Sequence, residues 1–467
     1  MPCILKKKVI NKMRYHIWTI GCQMNVADSQ RVAAGLERLG FTPSSQAEDA
    51  DVIVLNTCVV RQQPEDKAVG RLHQLRSLKA QYPDRILALM GCMVGVKETS
   101  SLQKRFPWVD LFLPPSDPTD LWSFLAERGD LDEVQTLIAD AETRRLAVGR
   151  ADTILPVSQH GQVASAYVPI VLGCSHACTY CVIPYRRGVE RSRPLEAILA
   201  EVKQLSAQDV REITLLGQIV DRYGYDLPEF QSADQTPLVT LLEKVHAVDG
   251  LQRIRFLTSH PNWMKDDLLH AIKALPKVCA HIELPVQAGD DNILALMRRG
   301  YTSEDYRRLV GRIRDIIPEV SIATDIIVGF PGETESQFQN TYNLLQELRL
   351  DKAHIARYSA RPRTVATRTL DDNVPYEVKE RRRRTLDELQ STIVTELNSC
   401  YLDAVVDVLV EGKNERKGRW FGRTVTDRLV FFDSPDSWLG EMVQVKITWT
   451  GPWSLIGELH GHPAPIT

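Results

Sequence analysis

No uninterrupted apolar stretch of about 20 residues occurs anywhere in the 467-residue chain, so the sequence holds no candidate transmembrane helix. Residues 1–13 carry Lys6, Lys7, Lys8 and Lys12. No apolar run of signal-peptide length follows them and no small-residue cleavage site is present, so this stretch reads as a disordered tail or as residues upstream of the true start. Net charge is nearly absent too, at −3. Bulk positive charge therefore cannot carry nucleic-acid binding, and any such role must rest on local patches. Cysteine is scarce: nine residues are too few for a disulfide scaffold in a chain this long. Their clustering beside glycines points to metal or redox use in a reducing, cytoplasmic setting. The remainder is ordinary for a globular protein, with 43% hydrophobic and 25% charged residues and length for roughly three domains of ~150 residues.

Three cysteines stand in one run, Gly173-Cys174-Ser175-His176-Ala177-Cys178-Thr179-Tyr180-Cys181. Three thiolates within eight residues can wrap a metal group, and the odd count matters. A structural zinc site closes with four ligands, and a cubic [4Fe–4S] cluster normally takes four cysteines. Three would leave one iron open to another ligand. The plainer alternative is a zinc loop that borrows its fourth ligand from elsewhere.

Three more cysteines follow a different logic. Arg14–Ile20, Asp51–Asn56, Arg85–Met90 and Trp108–Leu113 read as strands, with helical patterns near Ser29–Leu39 and Glu65–Lys79. Such alternation implies a Rossmann-like parallel α/β domain. Cys22, Cys58 and Cys92 each follow one of the first three strands. The carboxyl ends of parallel strands share one sheet edge, where ligands bind in open α/β folds. Topology thus gathers residues that are far apart in sequence. Single cysteines there would read as buried core residues, but three equivalent positions favour a second cluster site. Cys3, Cys279 and Cys400 match no such spacing; Cys279 and Cys400 read as structural, and Cys3 falls in the tail.

Between residues 165 and 365, six apolar runs alternate with helical stretches: Tyr167–Leu172, Glu212–Leu216, Arg253–Leu257, Ala280–Leu284, Ser321–Val328 and Lys352–Tyr358. Six β/α units imply an open part-barrel, with its active site at the strand carboxyl ends. Cys174 lies just past the first run, and other run ends carry Gln218, Thr258, Ser259, Gln287, Thr324 and Asp325. The segment Gly329-Phe330-Pro331-Gly332-Glu333-Thr334 reads as a turn into a helix. A helical pattern with Lys379 and Arg381–Arg384 follows, as a charged linker helix or a phosphate-contacting face. From residue 403 the pattern changes to short β-like runs, Val405–Leu409, Trp420–Thr424, Leu429–Phe432 and Met442–Thr448, which imply a small antiparallel barrel. Arg416, Lys417, Arg419 and Arg423 interleave there with Trp420, an arrangement that could pair with phosphates and stack on unpaired bases, although Trp420 would equally suit a barrel core.

The Cys-x₃-Cys-x₂-Cys run with Tyr180 before its last cysteine resembles the signature of radical S-adenosylmethionine (SAM) enzymes. With Gly21-Cys22-Gln23-Met24-Asn25-Val26-Ala27-Asp28-Ser29, Glu65-Asp66-Lys67 downstream of Cys58, and Pro184-Tyr185-Arg186-Arg187-Gly188 after the motif, residues 14–460 resemble the radical-SAM methylthiotransferase family. The subgroup most like the chain consists of bacterial tRNA enzymes that act on N6-isopentenyladenosine beside the anticodon. Departures are Val94-Gly95 after Cys92-Met93, Ile219 and Asp221 after Gly217-Gln218, and Arg363 where the family favours Gly. They bear on the subgroup, because close relatives act on threonylcarbamoyladenosine in tRNA or on an aspartate of a ribosomal protein.

The resemblance implies five regions: a tail (1–13), a methylthiotransferase domain (14–130), a linker (131–164), a radical-SAM core with its linker helix (165–399) and an RNA-binding TRAM domain (400–464). It implies two [4Fe–4S] clusters, an auxiliary one on Cys22, Cys58 and Cys92 that carries sulfur, and one on Cys174, Cys178 and Cys181 that cleaves SAM to a 5′-deoxyadenosyl radical. Two SAM molecules would be used per turnover. Gln218, Ser259, Gln287 and Asp325, chosen by placement, would contact SAM. Expected partners are a tRNA anticodon loop, an electron donor and a sulfur source, with the protein a monomer and no membrane involved. The competing class is a non-enzymatic iron–sulfur, redox-sensing RNA-binding protein, which would not cleave SAM.

Overall fold

The structure is a computed structural model that describes residues 13–96, 99–128, 155–232 and 234–461. Residues 1–12 of the expected tail, including Cys3, and residues 131–154 of the expected linker lie outside them. The chain divides into two compact units. The first holds residues up to His160, Tyr167–His176 and Cys181–Leu205; the second holds Gly161–Ala166, Ala177–Tyr180 and Ser206 onward.

In the first unit, β1 (Arg14–Thr19), β2 (Thr42–Pro43), β3 (Val52–Thr57), β4 (Ile86–Gly91) and β5 (Leu111–Leu113) form a parallel sheet in the order β2-β1-β3-β4-β5. β3 and β4 are buried along their whole length, as central parallel strands covered on both faces must be. Side chains alternate between faces. Val52, Val54, Ala88 and Met90 pack with Val32 and Leu36 of helix Gln23–Arg38, whereas Ile53, Leu55, Leu87 and Leu89 pack with Leu72 and Leu75 of helix Gln62–Gln81. Helix Gln23–Arg38 starts six residues before the expected Ser29. Its first turns bury Asn25, Asp28 and Ser29, polar positions that a hydrophobic period cannot reveal. The fourth expected strand shortens to β5, because Trp108 leaves the sheet edge and donates its indole N–H to the Leu72 carbonyl (3.1 Å).

The expected strand Tyr167–Leu172 is split into β6 (Ser165–Pro169) and β7 (Val171–Leu172), the latter paired with β8 (Arg191–Ser192). Pro169 cannot donate to a ladder, which accounts for the break. The other central strands are β9 (Glu212–Leu216), β10 (Arg253–Leu257), β11 (His281–Glu283), β12 (Ser321–Val328) and β13 (Lys352–Arg357). They run parallel in two three-stranded sheets, β10-β9-β6 and β11-β12-β13. A bridge between Ile254 and Val278 links them, giving the open six-stranded part-barrel.

The C-terminal strands β14 (Val405–Asn414), β15 (Arg419–Arg423), β16 (Leu429–Phe432), β17 (Met442–Thr450) and β18 (Leu455–Leu459) close a barrel around Val408, Val430, Phe432, Val445 and Ile447. β18 escaped the sequence pattern because it is short and carries Gly457, where a Cβ would lie 2.3 Å from the Lys446 carbonyl oxygen.

This barrel is seated at the amino-terminal ends of the central strands. Arg253 donates to the Asp407 (3.2 Å) and Arg423 carbonyls. Arg255 donates to the Thr424 carbonyl (2.7 Å) while pairing with Glu212 (3.0 Å). Arg428 pairs with Asp351 (2.7 Å). The opposite, carboxyl ends of the strands carry the candidate chemistry.

Candidate metal centres

Within the first unit, Cys22, Cys58 and Cys92 stand just past β1, β3 and β4. Cys58 and Cys92 are buried and Cys22 is exposed. Two glycines set this edge. Gly91 has φ 97°, and a Cβ there would lie 2.5 Å from the Thr57 carbonyl oxygen; one on Gly21 would lie 2.9 Å from the Cys58 Cβ. Burial pushes the Cys58 thiol up to about 11, reinforced by Cys92 and Cys22. Burial likewise raises the Cys92 thiol, with Arg187 opposing. The three sulfurs therefore share one field. Among the described residues no group of three or more His, Cys, Asp or Glu side chains is gathered to hold a single metal ion; a cubane spreads its thiolates over separate irons.

A buried polar scaffold lies beneath these thiols. Asn25 Nδ2 donates to Asn56 Oδ1 (2.9 Å) and to the Thr57 carbonyl (3.0 Å). Asn56 Nδ2 donates to the Asn25 carbonyl (2.9 Å) and to Ser29 Oγ (3.0 Å). The Cys22 thiol donates to Asn25 Oδ1 (3.4 Å), which also accepts from Arg187 Nη2 (3.2 Å). Asp28 stands 3.6 Å from Arg187, and neither Asp28 oxygen has a hydrogen-bond partner. Buried thiols beside a buried cation suit an anionic, thiolate-ligated group, so the donor set fits the cluster that the sequence implies.

The second set comes from the single run. In the first unit, Gly173 (φ 71°) admits the chain where a Cβ would lie 2.1 Å from the Val189 carbonyl oxygen, and Cys174 N–H donates to the Gly188 carbonyl (3.1 Å). In the second unit, Arg299 Nη1 donates to Cys178 Sγ (3.2 Å). The same guanidinium donates to the Pro285 carbonyl (3.0 Å) and to Tyr301 Oη (2.9 Å). Burial opposes the Arg299 charge, but Tyr180, Tyr301 and Cys178 outweigh it and raise its pKa. Thr179 is pinned through its N–H to the Met297 carbonyl (3.2 Å) and its Oγ1 to the Leu296 carbonyl (2.8 Å). Of the remaining cysteines, Cys279 is buried and Cys400 is exposed.

The four SAM candidates lie at or near the strand carboxyl ends. Gln218 is half-buried just past β9. Ser259 is buried and its Oγ has no hydrogen-bond partner. Gln287 has φ 74°, its N–H donating to the Asp325 carbonyl (2.9 Å). Thr258 also has positive φ (70°), an uncommon conformation for a β-branched residue. Asp325 lies within β12, close enough to raise Glu283, which burial and Asp325 together push up to about 7. Asp221, one of the departures from the family pattern, is buried and accepts the His260 N–H at 3.0 Å. Gly329 is required by packing: its Cβ would meet Lys379 Cγ at 2.3 Å.

The RNA candidates separate. Arg416 and Lys417 are exposed at the β14–β15 turn, their N–H groups donating to Asn414 Oδ1 at 3.1 Å. Arg419 pairs with Asp433 (3.2 Å). Trp420 requires correction. Trp420 is 7% exposed within the barrel core, so its ring is not a platform for a base. Arg423 is held by Asp427 (3.3 Å) and Glu411 (3.5 Å). The arginine run is likewise committed within the molecule: Arg381 pairs with Glu335, Arg382 with Glu333 and Glu335, Arg383 with Glu380 and Asp387, and Arg384 with Glu380. The sequence reading assigned no role to Arg187 or Arg299. Each stands in a run of two arginines, which by itself resembles any basic surface turn.

Family models match at residues 14–114 (Uncharacterized protein family UPF0004), 168–345 (Radical SAM superfamily) and 401–460 (TRAM domain). A protein of Roseiflexus sp. is 48% identical over 96% of this chain and 89% of its own length, and one of Herpetosiphon aurantiacus is 45% identical over 98% of this chain and all of its own length. Both are called tRNA-2-methylthio-N(6)-dimethylallyladenosine synthase. Among solved structures, the radical S-adenosylmethionine methyltransferase TsrM of Kitasatospora setae shares the fold, with TM-score 0.50 and 13% identity over 76% of this chain and 73% of its own.

Proposed function

The chain belongs to the family of tRNA-2-methylthio-N(6)-dimethylallyladenosine synthases, and from that premise we propose that it adds a methylthio group to C2 of N6-(dimethylallyl)adenosine beside the anticodon of tRNA. The observation that carries this reading is the pair of separate three-cysteine sets on one chain, one built by a sheet edge and one by a single run. When bound, an auxiliary [4Fe–4S] cluster, a radical-SAM [4Fe–4S] cluster and two molecules of SAM supply the sulfur, methyl and radical chemistry.

The chain supplies ligands, position and dryness. Cys22, Cys58 and Cys92 hold the auxiliary cluster; Cys174, Cys178 and Cys181 hold the other. Ser259, whose buried Oγ is unsatisfied, together with Gln218, Gln287 and Asp325, holds the polar groups of SAM. Arg416 and Lys417 approach the tRNA backbone from the exposed barrel turn. The target base lies in a single-stranded loop, so it must be splayed into the pocket without melting a duplex. An electron donor and a sulfur source complete the cycle, and the protein acts in the cytoplasm as a monomer.

Mass spectrometry of tRNA nucleosides from cells lacking this gene, and from cells with it restored, tests the proposal. Loss and return of the 2-methylthio nucleoside, with its unthiolated precursor accumulating in between, is expected. An unchanged profile would contradict the substrate assignment. Loss of the threonylcarbamoyl derivative instead would reassign the enzyme to that nucleoside, and loss of neither would direct the search to the ribosomal-protein aspartate.

A further inference from the structure

We propose that Arg187, counterbalanced by Asp28, is a positioning residue that raises the reduction potential of the cluster held by Cys22, Cys58 and Cys92. The inference rests on the two-cluster reading above and deepens it. Arg187 ends the short helix Ile183–Arg187, six residues after Cys181, and is 7% exposed. Its guanidinium donates to Asn25 Oδ1 (3.2 Å), the same oxygen that accepts from the Cys22 thiol (3.4 Å), and to Ser116 Oγ (3.4 Å). Its counter-ion Asp28, 1% exposed, stands 3.6 Å away.

As a purely structural element this pair is poorly made. Both Asp28 oxygens and Arg187 Nε lack hydrogen-bond partners. Burying two charges without saturating their hydrogen bonds is often worse for stability than an apolar pair of similar volume. What the arrangement does provide is a fixed positive charge beside the cluster ligands. That charge favours the extra electron of a reduced iron–sulfur cluster, and net charge is among the determinants of cluster potential. The Asp28 carboxylate acts in the opposite direction. The pair therefore makes a prediction with two signs, which a scaffold role would not share.

The test uses the full-length chain with Cys174, Cys178 and Cys181 replaced by alanine, so that only the auxiliary cluster is present, reconstituted under anaerobic conditions. Iron and acid-labile sulfide are measured, and the one-electron couple is titrated by electron paramagnetic resonance. Arg187→Gln is expected to shift the potential to more negative values, Arg187→Lys to keep most of the parent value, and Asp28→Asn to shift it to more positive values. Should Arg187→Gln fail to load a cluster, the Lys and Asn variants still decide by their signs. Unchanged potentials in variants that load normally, or shifts of the same sign for Arg187→Gln and Asp28→Asn, would overturn the inference alone. Absence of iron and sulfide with Arg187 and Asp28 intact would overturn the two-cluster reading, and this inference with it.

Discussion

The two three-cysteine sets solve the same problem by opposite means. Cys22, Cys58 and Cys92 are placed along one edge of a parallel sheet whose central strands are wholly buried. Cys174, Cys178 and Cys181 belong to one irregular run, held by backbone hydrogen bonds at Cys174 and Thr179 and by one glycine turn. Each set also has a buried arginine beside it: Arg187 shares Asn25 Oδ1 with the Cys22 thiol, and Arg299 donates to Cys178. Arg187 has a carboxylate counter-ion and belongs to a polar network; Arg299 is held by a tyrosine hydroxyl and a carbonyl. The difference teaches that a gathered site depends on the whole sheet, whereas a looped site depends on a few backbone contacts. The two should therefore fail separately.

The largest expected effects come from the ligands themselves. Replacing any one of the six cysteines by alanine should abolish methylthiolated product in a reconstituted assay; retained product in Cys22→Ala would remove the auxiliary set from the chemistry. Next come the glycines. At Gly173 a Cβ would meet a backbone oxygen at 2.1 Å with φ 71°, and at Gly91 at 2.5 Å with φ 97°, contacts too close to be relieved by side-chain movement. Gly173→Ala should lower the iron held by the radical motif and leave the auxiliary cluster in place, and Gly91→Ala should do the reverse. Iron and sulfide analysis in backgrounds that retain only one cysteine set checks both, and equal losses at both sites would break the comparison.

A smaller effect belongs to neither site. His281 is buried where the C-terminal barrel meets the central strands, and burial pushes it down to about 4, with Asp427 opposing and Arg255, Lys352 and Arg423 adding to the depression. The folded state thus favours the neutral ring. Its contribution is fully present above the ordinary value near 6.5 and is lost as pH falls through about 4. The loss is about 3 kcal/mol at most. Thermal unfolding of His281→Gln should show a shallower acid-side decline than the parent between those values, with the metal content of both sites unchanged at neutral pH.

Much of this was legible in the chain. The strands Glu212–Leu216, Arg253–Leu257 and Ser321–Val328 match their expected runs residue for residue, because apolar residues dominate or alternate along strands buried in a parallel sheet. The cysteines of the sheet edge were legible through topology, since each follows a strand. The scaffold of Asn25, Asp28, Asn56 and Arg187 was not, because a buried polar residue looks like a surface residue until its partners are known. Trp420 was ambiguous for the converse reason: an aromatic among arginines serves a barrel core as well as a nucleic acid, and only burial decides.

The smallest expected effect follows from one departure from the family pattern. Arg363 occupies φ 72°, the left-handed region that glycine adopts freely and other residues adopt at a cost of about 1–2 kcal/mol. Glycine also loses more entropy on folding, by about 0.4–1 kcal/mol. Arg363→Gly should therefore stabilise the protein by at most about 1.6 kcal/mol, seen as a small rise in Tm. A fall would show that the Arg363 side chain contributes more than its backbone costs.

The most direct test of separable sites is to quantify 5′-deoxyadenosine and methylthiolated nucleoside in the same reactions for Cys174→Ala and Cys58→Ala. The account predicts neither compound from Cys174→Ala, and 5′-deoxyadenosine without product from Cys58→Ala. Loss of SAM cleavage in Cys58→Ala with the radical-motif cluster intact would contradict it.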